Sequence, residues 1–247
     1  MQKRVSAAPP RRPWWKHAAG RALKRGLAWR YRHFRPDSEP PRWARVAGLR
    51  LHVDRAVFNP EMHFTSGFLA GYLARPDVVS PGGRVLDMGT GSGVGAIAAA
   101  RAGAGQVVAV DINPAAVACA AGNAHRYGLA GRVDVRAGDL FAPVVGEQFD
   151  LILCNPPYFR GTPRTLADAA FLGGPQYEWL DRFAAEAGAH LAPGGRILVV
   201  LGDAADVPAL LARLAAPGWR IAEVARRDLW MEMLYIYALT PRAEAAG

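Results

Sequence analysis

From Arg84 onward, apolar runs of strand length alternate with segments of helical period. Val85-Leu86 opens a strand that reaches Asp87-Met88, and a glycine-rich turn leads into a small-residue helix through Arg101. Val107–Val110 predicts a second strand ending at Asp111, followed by a helix capped by Asn113 with Pro114 at its first position, where proline's fixed φ and missing N–H fit best. Further strands are predicted over Val133–Val135, Leu151–Cys154 and Ile197–Leu201, and helices from about Tyr177 to Leu191 and Val207 to Ala216. Continuous apolar strands separated by helices predict a doubly wound α/β fold, because only a parallel sheet covered on both faces needs strands apolar on both sides. The closing runs, Trp219–Ala225 and Trp230–Leu239, have few residues between them. They predict an antiparallel edge hairpin, completing a mainly parallel, seven-stranded sheet.

Upstream the pattern changes. Residues 1–13 are rich in Pro and Arg, and Trp15, Ala18, Ala22, Leu23, Leu27 and Tyr31 then recur near a 3.6 period between Trp14 and Phe34. Pro36 stops that helix and Pro40-Pro41 marks a linker. Short extended segments are expected within 43–60, and a short helix from Thr65 to Ala74 capped by Thr65 or Ser66. The expected organisation is a basic arm over residues 1–42, a covering segment over 43–80 and a catalytic domain over 81–247.

Charge sharpens this division. Residues 1–50 carry 14 Lys/Arg against Asp37 and Glu39, so the net charge of +9 resides there and the remainder is slightly acidic. Trp14, Trp15, Trp29, Tyr31 and Phe34 lie among the arginines, a composition suited to RNA or ribosome contact, or else to an anionic membrane surface. The two cysteines, Cys119 and Cys154, lack metal-ligand spacing and read as buried thiols in a reducing compartment. Arg11-Arg12 has no apolar stretch behind it and no run approaches a membrane span, so a cytoplasmic, metal-free protein is expected.

Asn155-Pro156-Pro157-Tyr158 ends the Leu151–Cys154 strand. Both prolines fix φ and lack donors, so the corner is stiff and offers acceptors. The Asn155 amide oxygen and the Pro156 carbonyl can both accept from one planar NH2 group, with Tyr158 on its flat face. At the other strand ends, Asp87-Met88-Gly89-Thr90-Gly91-Ser92-Gly93 forms a tight turn at a helix N-terminus, Asp111 suits the two hydroxyls of a ribose, and Asp139 suits an adenine amino group with Phe141 beside the ring. Gly91, Gly93 and Ala96 also fit a dinucleotide spacing, which keeps a nicotinamide oxidoreductase open, but the frame of Gly89, Gly91 and Gly93 places Asp87 where a cationic ligand suits it better than a pyrophosphate.

This ordered set resembles the class I S-adenosylmethionine-dependent methyltransferases. Within them it is similar to the HemK-type enzymes, which methylate the side-chain amide of glutamine in translation release factors. The resemblance spans roughly Val57 to Thr240 and takes in Phe58-Asn59-Pro60, Thr65-Ser66, Gly173-Gly174 and Leu191-Ala192-Pro193-Gly194-Gly195. It implies S-adenosyl-L-methionine held by Thr65, Asp87, Gly89, Thr90, Gly91, Gly93, Asp111, Ile112, Asp139, Leu140 and Asn155, with Asn155, Pro156 and Tyr158 as the catalytic corner. A protein glutamine of the translation machinery is the first expected acceptor, a nucleobase exocyclic amine in rRNA, tRNA or DNA the second, and a small molecule the third. A cofactor-binding module without turnover is the contrasting class. Departures from the pattern bear on the acceptor: Pro175-Gln176-Tyr177 follows Gly173-Gly174, the Pro60–Thr65 spacing is one residue longer, and the basic arm stands where bacterial relatives have a helical substrate-gripping domain. Arg160, just beyond the corner, is a candidate for an acidic substrate group, Trp230 for the cleft wall, and His63 and His125 for core or surface roles.

Overall fold

The computed structural model describes residues 42–61, 64–216, 218–229 and 232–242. The predicted Trp14–Phe34 helix, His63, Trp230 and Met231 lie outside them. Strands β1 (Arg42–Val46) and β2 (Leu49–Val53) form an antiparallel hairpin. Helix α1 spans Phe64–Leu73, so Thr65 and Ser66 lie inside its first turn and neither is the cap expected of them.

The alternating region folds as β3 (Arg84–Met88), α2 (Val94–Arg101), β4 (Gln106–Asp111), α3 (Pro114–Arg126), β5 (Val133–Ala137) and β6 (Phe149–Cys154). It continues through α4 (Leu166–Ala169), α5 (Glu178–Glu186), β7 (Leu191–Gly202), α6 (Val207–Ala215), β8 (Trp219–Leu229) and β9 (Glu232–Pro241). Asn113 caps α3 as expected, its side chain accepting from the Ala115 N–H at 3.0 Å with Pro114 in the first turn. Helix α4 was not expected; a reciprocal capping box between Thr165 and Asp168 nucleates it. Helix α5 ends sooner than expected, in a 3₁₀ turn over Ala187–His190, and Pro193-Gly194-Gly195 belongs to an irregular start of β7 and not to the loop before it.

The seven strands lie in the order β5-β4-β3-β6-β7-β9-β8. Pairing is parallel from β5 through β7, whereas β9 runs antiparallel between β7 and the edge strand β8. The sheet is thus the mainly parallel one with an antiparallel closing hairpin. One apolar layer joins Leu69 and Leu73 of α1, Ile97 of α2 and Ala116 of α3 to the sheet, and the other joins Phe183 of α5 and Leu210 and Leu214 of α6. Leu49 and Leu51 of the hairpin belong to the first layer, so residues 43–80 share the core of the sheet. Strand order, though not strand direction, reverses between β3 and β6, the switch point where open α/β sheets place their ligands.

Candidate functional site

A cleft of about 390 Å³ opens at the C-terminal ends of β3, β4 and β6. Backbone conformation builds its floor. Gly89 and Gly91 adopt φ of +70° and +55°, left-handed values that cost other residues energy, and a Cβ on either would project into open space. The turn therefore exposes bare backbone to the cleft, a cradle sized for a ligand to approach closely. Asp111, at the tip of β4, fixes that turn: Oδ2 accepts from the Gly91 N–H at 2.9 Å and Oδ1 from the Asn113 N–H at 2.9 Å. Each oxygen keeps a lone pair for a hydroxyl. Burial raises the Asp111 pKa from its ordinary value, and these N–H donors partly counter it.

Asp87 is 6% exposed at the end of β3. Its Oδ2 alone accepts both from Thr90 Oγ1 (2.7 Å) and from the Ala96 N–H (2.8 Å). Desolvation nevertheless pushes the carboxyl pKa from 3.8 to about 6, with the Thr90 and Ala96 bonds and the charge of Asp111 as smaller influences. A carboxylate so costly to ionise lowers its energy when a cation settles beside it. Gly95 makes room for it, since a Cβ there would stand 2.6 Å from Asp87 Oδ1.

The opposite wall is the Asn155 corner. Asn155 Nδ2 donates to Ser66 Oγ of α1 at 3.3 Å, while Asn155 Oδ1 is buried and has no hydrogen-bond partner among the described residues. A buried, unpaired acceptor costs about 1–3 kcal/mol, and this one belongs to a cleft residue beside Pro156, Pro157 and Tyr158. Tyr158 packs edge-on to Phe159, their centroids 5.0 Å apart. The loop after the corner folds back on it: the Phe159 N–H donates to the Phe171 carbonyl, and the Gly173 N–H to the Phe159 carbonyl.

Of the residues expected at the cofactor, Asp87, Gly89, Thr90, Gly91, Asp111, Ile112, Asp139, Leu140 and Asn155 line this cleft, and Pro156 and Tyr158 join them. Three expected residues are placed elsewhere. Thr65 is 2% exposed and off the cleft, its place on the wall taken by Ser66 one step round the helix. Gly93 faces Ala120 of α3 and admits close helix packing. Phe141 is turned into the core by the left-handed Leu140 (φ +46°), where it stacks on His190 at 4.6 Å. Arg160 leans over the Tyr177 ring at 4.8 Å, and His125 is exposed. Trp179 and Arg182 line the cleft without having been anticipated, whereas Ser66 was expected only as part of the Thr65-Ser66 pair, and Arg182 pairs with Asp139 at 2.8 Å. Among the described residues, no cluster of His, Cys, Asp or Glu is placed to hold a metal, and no helix is long and apolar enough to cross a membrane.

The chain is 37% identical over 199 residues to the ribosomal protein L11 methyltransferase of Pelotomaculum thermopropionicum, covering 78% of this chain and 57% of that protein. It is 39% identical over 168 residues to the release factor glutamine methyltransferase of Cereibacter sphaeroides, covering 64% and 58%. The chain thus spans somewhat over half the length of these relatives. Among solved structures, the Thermus thermophilus 16S rRNA N2 G1207 methyltransferase in complex with AdoMet and guanosine shares the fold at a TM-score of 0.59 and 24% identity, covering 82% of this chain and 50% of that one. The family model described as "Methyltransferase small domain" matches residues 48–223, most of the chain and all of the cleft, and the protein belongs to that family.

Proposed function

We propose that the protein is an S-adenosyl-L-methionine-dependent N-methyltransferase acting on a planar amide nitrogen, the side chain of a glutamine in a protein of the translation machinery. The observation that carries this reading is the buried Asn155 Oδ1, which has no donor among the described residues. It is the acceptor that a primary amide would satisfy, and the relative that methylates a release-factor glutamine supplies the class of molecule that bears one.

The cradle fits the cofactor. Gly89 and Gly91 would let its amino-acid and ribose portions lie against backbone, Asp111 would accept from the ribose hydroxyls, and Ile112, Leu140 and Asp139 would flank the adenine. Asp87 would stand near the positive end. When bound, the cofactor supplies an electrophilic methyl group on a sulfonium. The rest falls to the Asn155 corner. An amide nitrogen is a poor nucleophile because its lone pair is delocalised into the carbonyl. Asn155 Oδ1 and the Pro156 carbonyl, accepting one N–H each, would hold that nitrogen in line with the methyl, and Tyr158 would cover its face. Alignment is most of what such a site must supply. As the methyl's bond to sulfur would break, its electron pair staying on a neutral thioether, and the new carbon–nitrogen bond would form, the nitrogen would become acidic and lose one proton to water, so no general base is assigned. Residues 43–80 serve as the cover of the site and 81–247 as its catalytic body, in the cytoplasm where translation proceeds.

A nucleobase exocyclic amine is the second reading, favoured by the Arg-rich N-terminal stretch. Labelled cofactor incubated with ribosomal particles separates them, label in protein supporting the first and label in RNA the second. Asn155→Ala tests the site itself. Transfer should fall by at least about 100-fold while calorimetry finds cofactor affinity nearly intact, and unchanged turnover would remove the reading.

A further inference from the structure

The β1–β2 hairpin carries chemistry that the cleft does not use. Ala44, Val46, Leu49, Leu51 and Val53 point inward and are buried, so the pleat sends Trp43, Arg45 and Arg50 outward into solvent. In the register of the pair, Arg45 stands directly opposite Arg50 and Trp43 opposite His52. Like charges facing each other across a strand pair oppose folding. Neither strand carries an acidic residue, and among the described residues no carboxylate forms an ion pair with Arg45, Arg50 or Arg126. Both Arg50 and Arg126, the latter at the end of α3, bring their guanidinium carbons to the Trp43 ring, at 4.4 and 5.5 Å from its centroid. A guanidinium lying over an indole keeps its in-plane N–H donors at its edge, free for a phosphate oxygen.

The face is also rigid. The Arg50 N–H donates to Tyr127 Oη at 2.7 Å, and Asn123 accepts from the His52 N–H at 2.9 Å, so α3 holds β2 in place. Trp43, 46% exposed, is the one large apolar side chain that the hairpin presents to solvent, and its turn is Ala47-Gly48. A lipid surface would need several such side chains to bury. Residues 1–41, joined directly to β1, add eleven Lys/Arg against two acidic residues.

We propose that the outward face of the β1–β2 hairpin, together with Arg126, binds the phosphate backbone of RNA. Arg45, Arg50 and Arg126, which form no ion pair with a carboxylate among the described residues, offer donors to successive phosphates, and Trp43 holds two of these guanidiniums by their flat faces. The choice of RNA over DNA rests on the proposed action on the translation machinery. The surface itself does not depend on that reading.

The test uses the full chain and a fluorescein-labelled single-stranded RNA of about 20 nucleotides, ample for one binding module. Anisotropy titrations run from about 50 to 200 mM salt, the range in which phosphate contacts declare themselves. The R45E/R50E/R126E variant should bind roughly tenfold or more weakly, and R45Q/R50Q/R126Q several-fold more weakly. Both should lower the steepness of the salt dependence by about 2, the value for three phosphate contacts on a single strand. Thermal melting should not fall in the glutamine variant, which relieves the Arg45–Arg50 repulsion, and methyl transfer to an isolated ribosomal-protein acceptor should stay as in the wild type, which separates this result from a failure of the methyltransferase reading. RNA affinity and salt slope unchanged in both variants would overturn the proposal and leave the charge to the N-terminal arm. So would tighter binding to DNA of the same length, to polyglutamate, or to phosphatidylglycerol vesicles than to RNA.

Discussion

Asn123 holds His52 from both sides. Its Oδ1 accepts from the His52 N–H at 2.9 Å, and its Nδ2 donates to the His52 carbonyl at 2.7 Å. The same amide donates to the Ser92 carbonyl at 2.9 Å, so one fully buried side chain ties strand β2 to the glycine turn of the cleft. Asn123→Ala would leave the Ser92 carbonyl and the His52 N–H without this partner, while the His52 carbonyl keeps the Cys119 thiol at 3.1 Å. At about 1–3 kcal/mol for each buried group left unpaired, the loss should be about 3 kcal/mol or more in urea unfolding. Because Ser92 lies in the turn, cofactor affinity should fall with it, and a variant that loses stability while binding cofactor normally would show the two to be separate.

Asp87 should make cofactor binding depend on pH. Its pKa is raised from 3.8 to about 6 by burial, so the folded chain binds a proton more tightly than the unfolded chain. Stability from this group is therefore present at low pH and is lost as pH rises from about 4 to about 6, by about 3 kcal/mol. A cation beside Asp87 favours the ionised form. Binding of the sulfonium cofactor should thus release a proton and weaken as pH falls below about 6, which calorimetry in two buffers of different ionisation enthalpy measures directly.

The two acids of the cleft should respond differently to amidation. Asp87 receives both of its hydrogen bonds on Oδ2, so Asp87→Asn can keep both on its one carbonyl oxygen. That variant should melt no lower than the wild type at pH 7, lose the pH trend above, and still bind cofactor less tightly. Asp111 receives one N–H on each oxygen, so Asp111→Asn sets an NH2 group against a backbone donor. It should lose about 1–3 kcal/mol in chemical denaturation and most of its cofactor affinity. Equal melting of the two variants would contradict this geometry.

How much of this was readable in the chain depended on whether the cause was local. The Asn113 cap, the strand runs, the Asn155 corner and the left-handed glycines depend on neighbours in sequence, and they stand where the pattern put them. Asn123 gave no such signal, because its partners lie in β2 and the glycine turn, distant in sequence and adjacent only once α3 packs against both. The Asp139–Arg182 pair escaped for the same reason, since it joins the loop after β5 to α5. Thr65 and Ser66 were indistinguishable by residue type, and only the point at which α1 begins decides which of them meets the cleft.

Ser66 offers the sharpest test of the corner. Its Oγ accepts from Asn155 Nδ2 at 3.3 Å, which fixes the amide so that Oδ1 is the atom left for a substrate. Ser66→Ala removes that acceptor. The Asn155 amide can then turn over, presenting donors where the acceptor amide also has donors. Turnover should fall about tenfold, the scale of one misdirected hydrogen bond, with cofactor affinity unchanged because Asp111 and the glycine turn are untouched. Ser66→Thr keeps the hydroxyl and should restore most of the rate. A merely structural role for Ser66 would lower the melting temperature and leave kcat alone, so a fall in kcat at constant melting, reversed by threonine, identifies Ser66 as the residue that positions Asn155.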